Sequence, residues 1–150
     1  PNRLGGLEYT CLSDSLSPNV NVGVIWNILL DRDRVYFQSD RHFFYIEKDV
    51  VNRIDYSLEI YTSLIVQNKL YIVSAEGLLV LNGTEFRRVS DSSTIGATVK
   101  IGGLLPYQDS LLVVTRDNGL FIHDGTSFTF VRRCKIHCWH WAAFKVEFVF

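Results

Sequence analysis

One pattern recurs along this chain at a spacing of about forty residues, and it constrains the fold more than any other feature of the sequence. In the first unit, Val24-Ile25-Trp26-Asn27-Ile28-Leu29-Leu30 passes through a turn at Asp31 to Arg34. It continues as Val35-Tyr36-Phe37-Gln38-Ser39 and then Phe43-Phe44-Tyr45-Ile46. The second unit runs from Tyr61 to Val66, turns at Gln67-Asn68-Lys69, and continues as Leu70 to Ser74, Gly77 to Leu81 and Thr84-Glu85-Phe86. The third runs from Ile101 to Leu105, turns around Gln108-Asp109-Ser110, and continues as Leu111 to Thr115, Gly119 to His123 and Thr126-Ser127-Phe128. Val35, Leu70 and Leu111 are equivalent, at steps of 35 and 41 residues, and Gly77 and Gly119, Gly83 and Gly125, and Phe86 and Phe128 each differ by 42. A period near forty built from short strands is the signature of propeller-like blades, each a four-stranded sheet.

The residue types agree. Val, Ile, Thr, Phe, Tyr and Trp number 55, whereas Ala, Lys and Glu number 15 and Met is absent. The first group fills pleated sheets and the second fills helices, which argues for an all-β protein and against a helical bundle or a doubly wound α/β domain. The strand runs are almost continuously apolar rather than alternating, as expected of sheets covered on both faces. Asn82-Gly83 and Asp124-Gly125 read as two-residue hairpin loops with positive φ at both residues. Gly77 and Gly119 open the third strand of their units, where a glycine permits close approach. A single β-sandwich with similar hairpins is the competing architecture. It is disfavoured because Asn-Gly-Thr-x-Phe and Asp-Gly-Thr-x-Phe fall at the same place in the unit.

The expected architecture is therefore a partial β-propeller of about three four-stranded blades in an open arc, with blades at about 22–57, 58–98 and 99–131. The apolar stretch from Leu7 to Leu12 suits the outer strand of a preceding blade. Residues 132–150 break the pattern: they hold two of the three Trp, two of the three Cys and two of the four His. That segment reads either as a fourth-blade strand or, on composition, as a stretch translated out of frame. The chain opens at Pro1 with no Met and no signal-peptide pattern, as expected of a fragment or a trimmed chain. Three units cannot close a ring, which needs at least about four blades.

The formal net charge is −1, so the basic excess of a nucleic-acid-binding surface is missing. No apolar run approaches the ~18–20 residues that span a bilayer, so a membrane link would have to come from segments outside this sequence. Cys11, Cys134 and Cys138 are an odd, sparse set and make no disulfide framework; their redox state stays open.

The repeating unit resembles the two-component-regulator propeller repeat found in the sensor ectodomains of bacterial hybrid histidine kinases and of related triple-tyrosine transcriptional regulators. Gly119-Leu120-Phe121-Ile122-His123-Asp124-Gly125 carries the resemblance best, and Gly77-Leu78-Leu79-Val80-Leu81-Asn82-Gly83 follows. The first unit departs from it: His42 stands where the Gly belongs, and Glu47-Lys48 replaces the Asx-Gly turn. The strand usually written Trp-Ile-Gly-Thr is also altered in all three units. The resemblance covers roughly residues 22–131. It implies a periplasmic, non-enzymatic ligand-sensing module within a transmembrane signalling protein, homodimeric at full length, with a carbohydrate or other small molecule as ligand and the remaining blades of the same chain as partners. Two other readings are a propeller scaffold for protein–protein interaction and a fragment of a propeller lyase or hydrolase.

Little in the sequence points to chemistry. Cys134, His137, Cys138 and His140 lie close together and are zinc-type ligands, but their spacing is not a standard one, and on an extended strand His137 would face away from the other three. Along such a strand Cys134 and Cys138 would stand ~13 Å apart, too far to bridge. No metal or cofactor site is assigned. His42 and His123 are isolated and read as surface or strand-end residues. Asp31-Arg32-Asp33-Arg34 alternates in sign and reads, with Asp40 and Asp49, as solvated turn. Asn82-Gly83-Thr84 fits a glycosylation sequon, but its hairpin role accounts for it. No catalytic motif or phosphate loop is present, and no catalytic residue is assigned. The ligand-binding candidates are Trp26, Tyr61 and Tyr107, near the first strand of each unit, where aromatic faces could stack on a sugar. The competing reading packs them between blades.

Overall fold

A computed structural model describes residues 2–4, 7–9, 11, 16, 21–40, 42–57, 59–89 and 99–132. Among these residues there is no helix, and the protein is all-β. Three four-stranded antiparallel sheets follow one another, each with its strands in sequence order. Sheet 1 contains β3 (Asn27–Asp31), β4 (Arg34–Gln38), β5 (His42–Glu47) and β6 (Val50–Asp55). Sheet 2 contains β7 (Ile60–Val66), β8 (Lys69–Ser74), β9 (Gly77–Asn82) and β10 (Glu85–Arg88). Sheet 3 contains β11 (Ile101–Tyr107), β12 (Ser110–Thr115), β13 (Leu120–His123) and β14 (Phe128–Arg132). Ahead of them, β1 (Asn2–Leu4) and β2 (Leu7–Tyr9) pair with each other as a two-stranded ribbon.

The sequence equivalences hold in register. Val35, Leu70 and Leu111 each sit second on the second strand, and Ser39, Ser74 and Thr115 each stand where that strand leads into the next turn. All three hydroxyl residues are buried, and all three bind the following turn. Ser39 Oγ accepts from the His42 N–H at 3.1 Å and contacts the His42 carbonyl at 3.2 Å. Ser74 Oγ accepts from the Glu76 N–H at 3.1 Å, and Thr115 Oγ1 donates to the Gly119 carbonyl at 2.7 Å. A buried hydroxyl needs a partner, and backbone groups in a tight turn need one too; the same residue answers both requirements three times. Sheets 2 and 3 also share a bulge in the first strand, at Tyr61 and Gly102.

The turns differ from the sequence expectation. Asn82 pairs with Glu85, so the central residues of that hairpin are Gly83 and Thr84, and of the two only Gly83 has positive φ (66°). A glycine leading the turn matches the sign pattern of type II′, not I′. Around Gly125 (φ 99°) the connection is four residues long, because Asp124 accepts from the N–H groups of Thr126 and Ser127, both at 2.8 Å. Both-positive turns occur instead at Lys48-Asp49 (51° and 63°) and Gln67-Asn68 (49° and 59°), without glycine. At Gly77 the reason for glycine is conformation (φ 101°) and not close approach: an added Cβ would meet only the far end of Arg88, at 4.0 Å.

The sheets stack face to face. Tyr36, Phe43 and Ile54 of sheet 1 pack against Ile60, Leu70, Ile72 and Leu79 of sheet 2. The opposite face of sheet 2 (Val66, Tyr71, Val73, Leu78) packs against Leu104, Leu111, Val113, Phe121 and Phe128 of sheet 3. Sheet 2 is therefore covered on both faces, which is why Leu70-Tyr71-Ile72-Val73 is apolar at every position. Each fully buried Leu or Ile contributes about 1.5–3 kcal/mol relative to exposure. Between sheets the backbones come closest at the first strands, β3 beside β7 and β7 beside β11. A buried polar circuit joins sheets 1 and 2 near this line. Asn27 Nδ2 donates to Ser63 Oγ (3.2 Å), Ser63 Oγ donates to Gln38 Oε1, and Gln38 Nε2 donates to the Ile60 carbonyl (3.2 Å).

Candidate functional site

Beyond that circuit, toward the β3–β4 turn, the gap between sheets 1 and 2 opens into a cleft of about 260 Å³. Sheet 1 supplies Asp31 and Arg34, which flank the turn, and the cross-strand pair Tyr36 and Tyr45. Sheet 2 supplies Asn68 from the β7–β8 turn, Leu70, Leu81, and Gly83 and Thr84 from the β9–β10 turn.

The sheet 1 wall is organised by Arg34. Its Nε donates to Glu47 Oε1 at 2.8 Å, Nη1 reaches the Tyr36 hydroxyl at 3.4 Å, and the guanidinium carbon lies 5.2 Å from the centre of the Tyr45 ring. Planarity lets one guanidinium make all three contacts, which a lysine could not. The hydrogen bonds to Tyr36 and then Glu47 push the pKa of Arg34 above the ordinary arginine value. Tyr36 and Tyr45 lie 5.8 Å apart, tilted, with Tyr36 buried and Tyr45 half-buried. The rim is tied across the sheets: with its carboxamide oxygen turned to the donors, Asn68 accepts from Arg32 Nε at 2.8 Å and Nη2 at 3.2 Å.

The lining thus combines an aromatic ring face, a cation already paired, a carboxylate, a carboxamide and a hydroxyl. Such a mixture suits a small ligand that carries several hydroxyl or mixed polar groups on an apolar frame. Asp31 is the single carboxylate of the lining, and Glu47 behind it is engaged by Arg34.

The aromatic candidates lie elsewhere. Trp26 and Tyr61 occupy equivalent positions at the start of their first strands, where sheet 3 has Gly102. Tyr107 sits at the other end of β11, beside its turn, about 17 Å along the strand from Gly102 at ~3.3 Å per residue. All three are exposed and none packs between sheets, and Tyr107 does not share an end with the other two. His42 is half-buried, with Nδ1 3.7 Å from Asp55 Oδ1, and its ring is edge-on to Phe44. His123 ends its strand as expected but is buried, not on the surface: its ring stacks on Phe128 at 4.5 Å and Nδ1 lies 3.1 Å from the Ser127 carbonyl. Cys134, His137, Cys138 and His140 lie outside the described residues, and no cluster of metal-binding side chains occurs among the described ones.

Comparison with protein-family models and with the curated proteins finds no match. No helix of the described residues is long and apolar enough to cross a membrane. Composition alone does not show the cleft, because Asp31 to Arg34 has the alternating charge of a solvated turn. One signal did mark it. The first unit departs from the repeat at Glu47-Lys48, and Glu47 is the residue that fixes Arg34.

Proposed function

We propose that this chain is an open arc of β-propeller blades serving as a non-enzymatic ligand-binding module. Its repeat is assigned to the two-component-regulator type, and its setting to the periplasmic part of a bacterial transmembrane signalling protein. The arc is supported by the stacking order: one face of sheet 2 meets sheet 1, the other meets sheet 3, and the first strands run side by side. The observation that carries the binding role is the cleft between sheets 1 and 2, with Arg34 held over Tyr45 and Asp31 alongside. Because its two walls belong to different blades, a ligand there would favour one inter-blade spacing over another, which is how binding can bias an output.

The test is saturation-transfer NMR and calorimetry with a panel of neutral mono- and disaccharides. At least one sugar should bind the parent chain, and both Tyr45→Ala and Asp31→Asn should weaken it at least tenfold with the fold intact by circular dichroism. Absence of binding across the panel, or binding unchanged in both variants, overturns the ligand assignment.

A further inference from the structure

The geometry of the β9–β10 turn accounts for Gly83 but not for Asn82. Asn82 stands in the ladder opposite Glu85 and has no positive φ, so the turn needs a glycine at 83 and no asparagine before it. What the pair does bring together is a side-chain amide carbon and a backbone nitrogen that can react with each other. Once deprotonated, the Gly83 nitrogen can attack Asn82 Cγ. A C–N bond forms, the Cγ–Nδ2 bond breaks, and the amide nitrogen leaves as ammonia. Water then opens the five-membered succinimide at either carbonyl, which gives aspartate or isoaspartate. One water is consumed, one ammonia is released, and nothing is oxidised or reduced. Glycine favours the closure because no side chain shields its nitrogen and its backbone rotates freely.

The surroundings of Asn82 leave this reaction open. Asn82, Gly83 and Thr84 are all exposed, and a Cβ added at Gly83 would meet nothing within 4 Å. Among the described residues no hydrogen bond holds the Asn82 side chain, and the Gly83 N–H donates to no backbone carbonyl. The rung shared with Glu85 is the last before the turn. Its partner strand β10 is a four-residue edge strand, exposed at Glu85, Arg87 and Arg88. Segments with so few buried contacts open locally at a small fraction of the global unfolding free energy.

The same dipeptide occurs at Asn118-Gly119, and there the fold holds it shut. The Asn118 N–H donates to Thr115 Oγ1 at 3.1 Å. The Gly119 carbonyl accepts from that same hydroxyl at 2.7 Å and from the Thr115 N–H at 3.0 Å. Thr115 and Gly119 are both buried. The rotation that would carry Asn118 Cγ to the Gly119 nitrogen therefore swings a peptide anchored on either side.

We infer that Asn82-Gly83 is a site of spontaneous deamidation in the folded protein, and that Asn118-Gly119 is spared by its anchored turn. The inference is independent of the ligand reading, although the modified residue adjoins Gly83 and Thr84 of the cleft wall. Each event sets a new carboxylate across from Glu85, and like charges placed directly opposite weaken a strand pair.

Peptide mapping by mass spectrometry tests it, on the 150-residue chain aged at neutral and at alkaline pH. Asn82 should convert at least tenfold faster than Asn118, to both aspartate and isoaspartate. Conversion should be faster at the higher pH, because the attacking nitrogen must lose its proton. In denaturing urea the two rates should converge, since the dipeptides are then equivalent. Asn82→Gln, whose longer side chain would have to close a six-membered ring, should remove the signal at 82 and leave Asn118 as it was. No conversion at Asn82, an equal rate at Asn118 in the folded chain, or a rate ratio that urea leaves unchanged overturns the inference.

Discussion

Removing one hydroxyl, in Ser63→Ala, tests how sheets 1 and 2 are held at their inner strands. Ser63 is buried; it accepts from Asn27 Nδ2 at 3.2 Å and donates to Gln38 Oε1. Asn27 keeps a second acceptor, the Ser63 carbonyl at 3.3 Å, so its loss is small. Gln38 Oε1 has no such alternative in the circuit and is left buried without its donor, which costs about 1–3 kcal/mol. The expected destabilisation is about 2 kcal/mol, or about 4–8 °C in Tm for a chain of this size. Gln38→Leu is near in volume and strands two groups, the Ser63 hydroxyl and the Ile60 carbonyl, so it should cost about 2–3 kcal/mol. The double variant strands only the Ile60 carbonyl and should cost about 1–2 kcal/mol, well below the sum of the singles. Urea unfolding of the four proteins, analysed as a double-mutant cycle, reads this directly. A Ser63→Ala effect within 0.5 kcal/mol of the parent, or additive singles, would refute the reasoning that a buried circuit of complete donors and acceptors spans the two sheets.

Three further outcomes are expected. Asn68→Gly should be avoided because Asn68 holds Arg32, but Lys48→Asn with Asp49→Gly relieves two non-glycine residues at positive φ and should raise stability by about 1 kcal/mol, seen as a higher urea midpoint. Ile72→Ala empties a fully buried position between sheets 1 and 2 and should cost about 2–5 kcal/mol, with a loss of Tm that Leu30→Ala, at an exposed site, does not reproduce. For pH, the backbone N–H groups of Ser127 and Thr126 hold the Asp124 carboxyl below its ordinary value of 3.8. A carboxyl with a depressed folded pKa contributes above the unfolded value, so the β13–β14 loop should be secure at neutral pH and loosen as the pH falls below about 4. Faster amide exchange at Thr126 and Ser127 under those conditions, matched at neutral pH by Asp124→Ala, is the measurement.

Much of the fold was legible because its units are local. Antiparallel strands joined in sequence order leave their mark within a window of forty residues, and the steps from Val35 to Leu70 to Leu111 mark one position in three sheets. The unbroken apolar run at Leu70 to Val73 signals coverage on both faces without reference to any neighbour. Turn centres were less legible. Asn82-Gly83 has the composition of a two-residue loop, yet cross-strand pairing places Asn82 in the ladder and Thr84 in the turn, because the register of the apolar strand faces outweighs the local preference. The turns with two positive φ values fell on Lys48-Asp49 and Gln67-Asn68, where no glycine announced them. The cleft was not legible: its walls are about forty residues apart in sequence, and only packing brings Arg34 and Tyr45 opposite Asn68 and Thr84. Exposure was equally beyond reach, since Trp26 on a bare face and Tyr36 beneath an ion pair look alike in a string of letters.

The coverage of sheet 2 on both sides has a consequence for how this protein comes apart. Its order is nearly one-dimensional: each sheet is a hydrogen-bonded meander, and among the described residues the packing clusters join each sheet to its neighbours in the stack. Such arrays behave as a row of coupled units, in which opening an outer unit breaks one interface and opening the middle one breaks two. Amide protection should therefore be graded by position in the row, highest on β8, where Leu70 and Ile72 serve one interface and Tyr71 and Val73 the other. The strand that holds the stack together is thus also the slowest clock in the molecule, and the sheet 1 wall of the cleft is set on a unit able to open while that clock stands still.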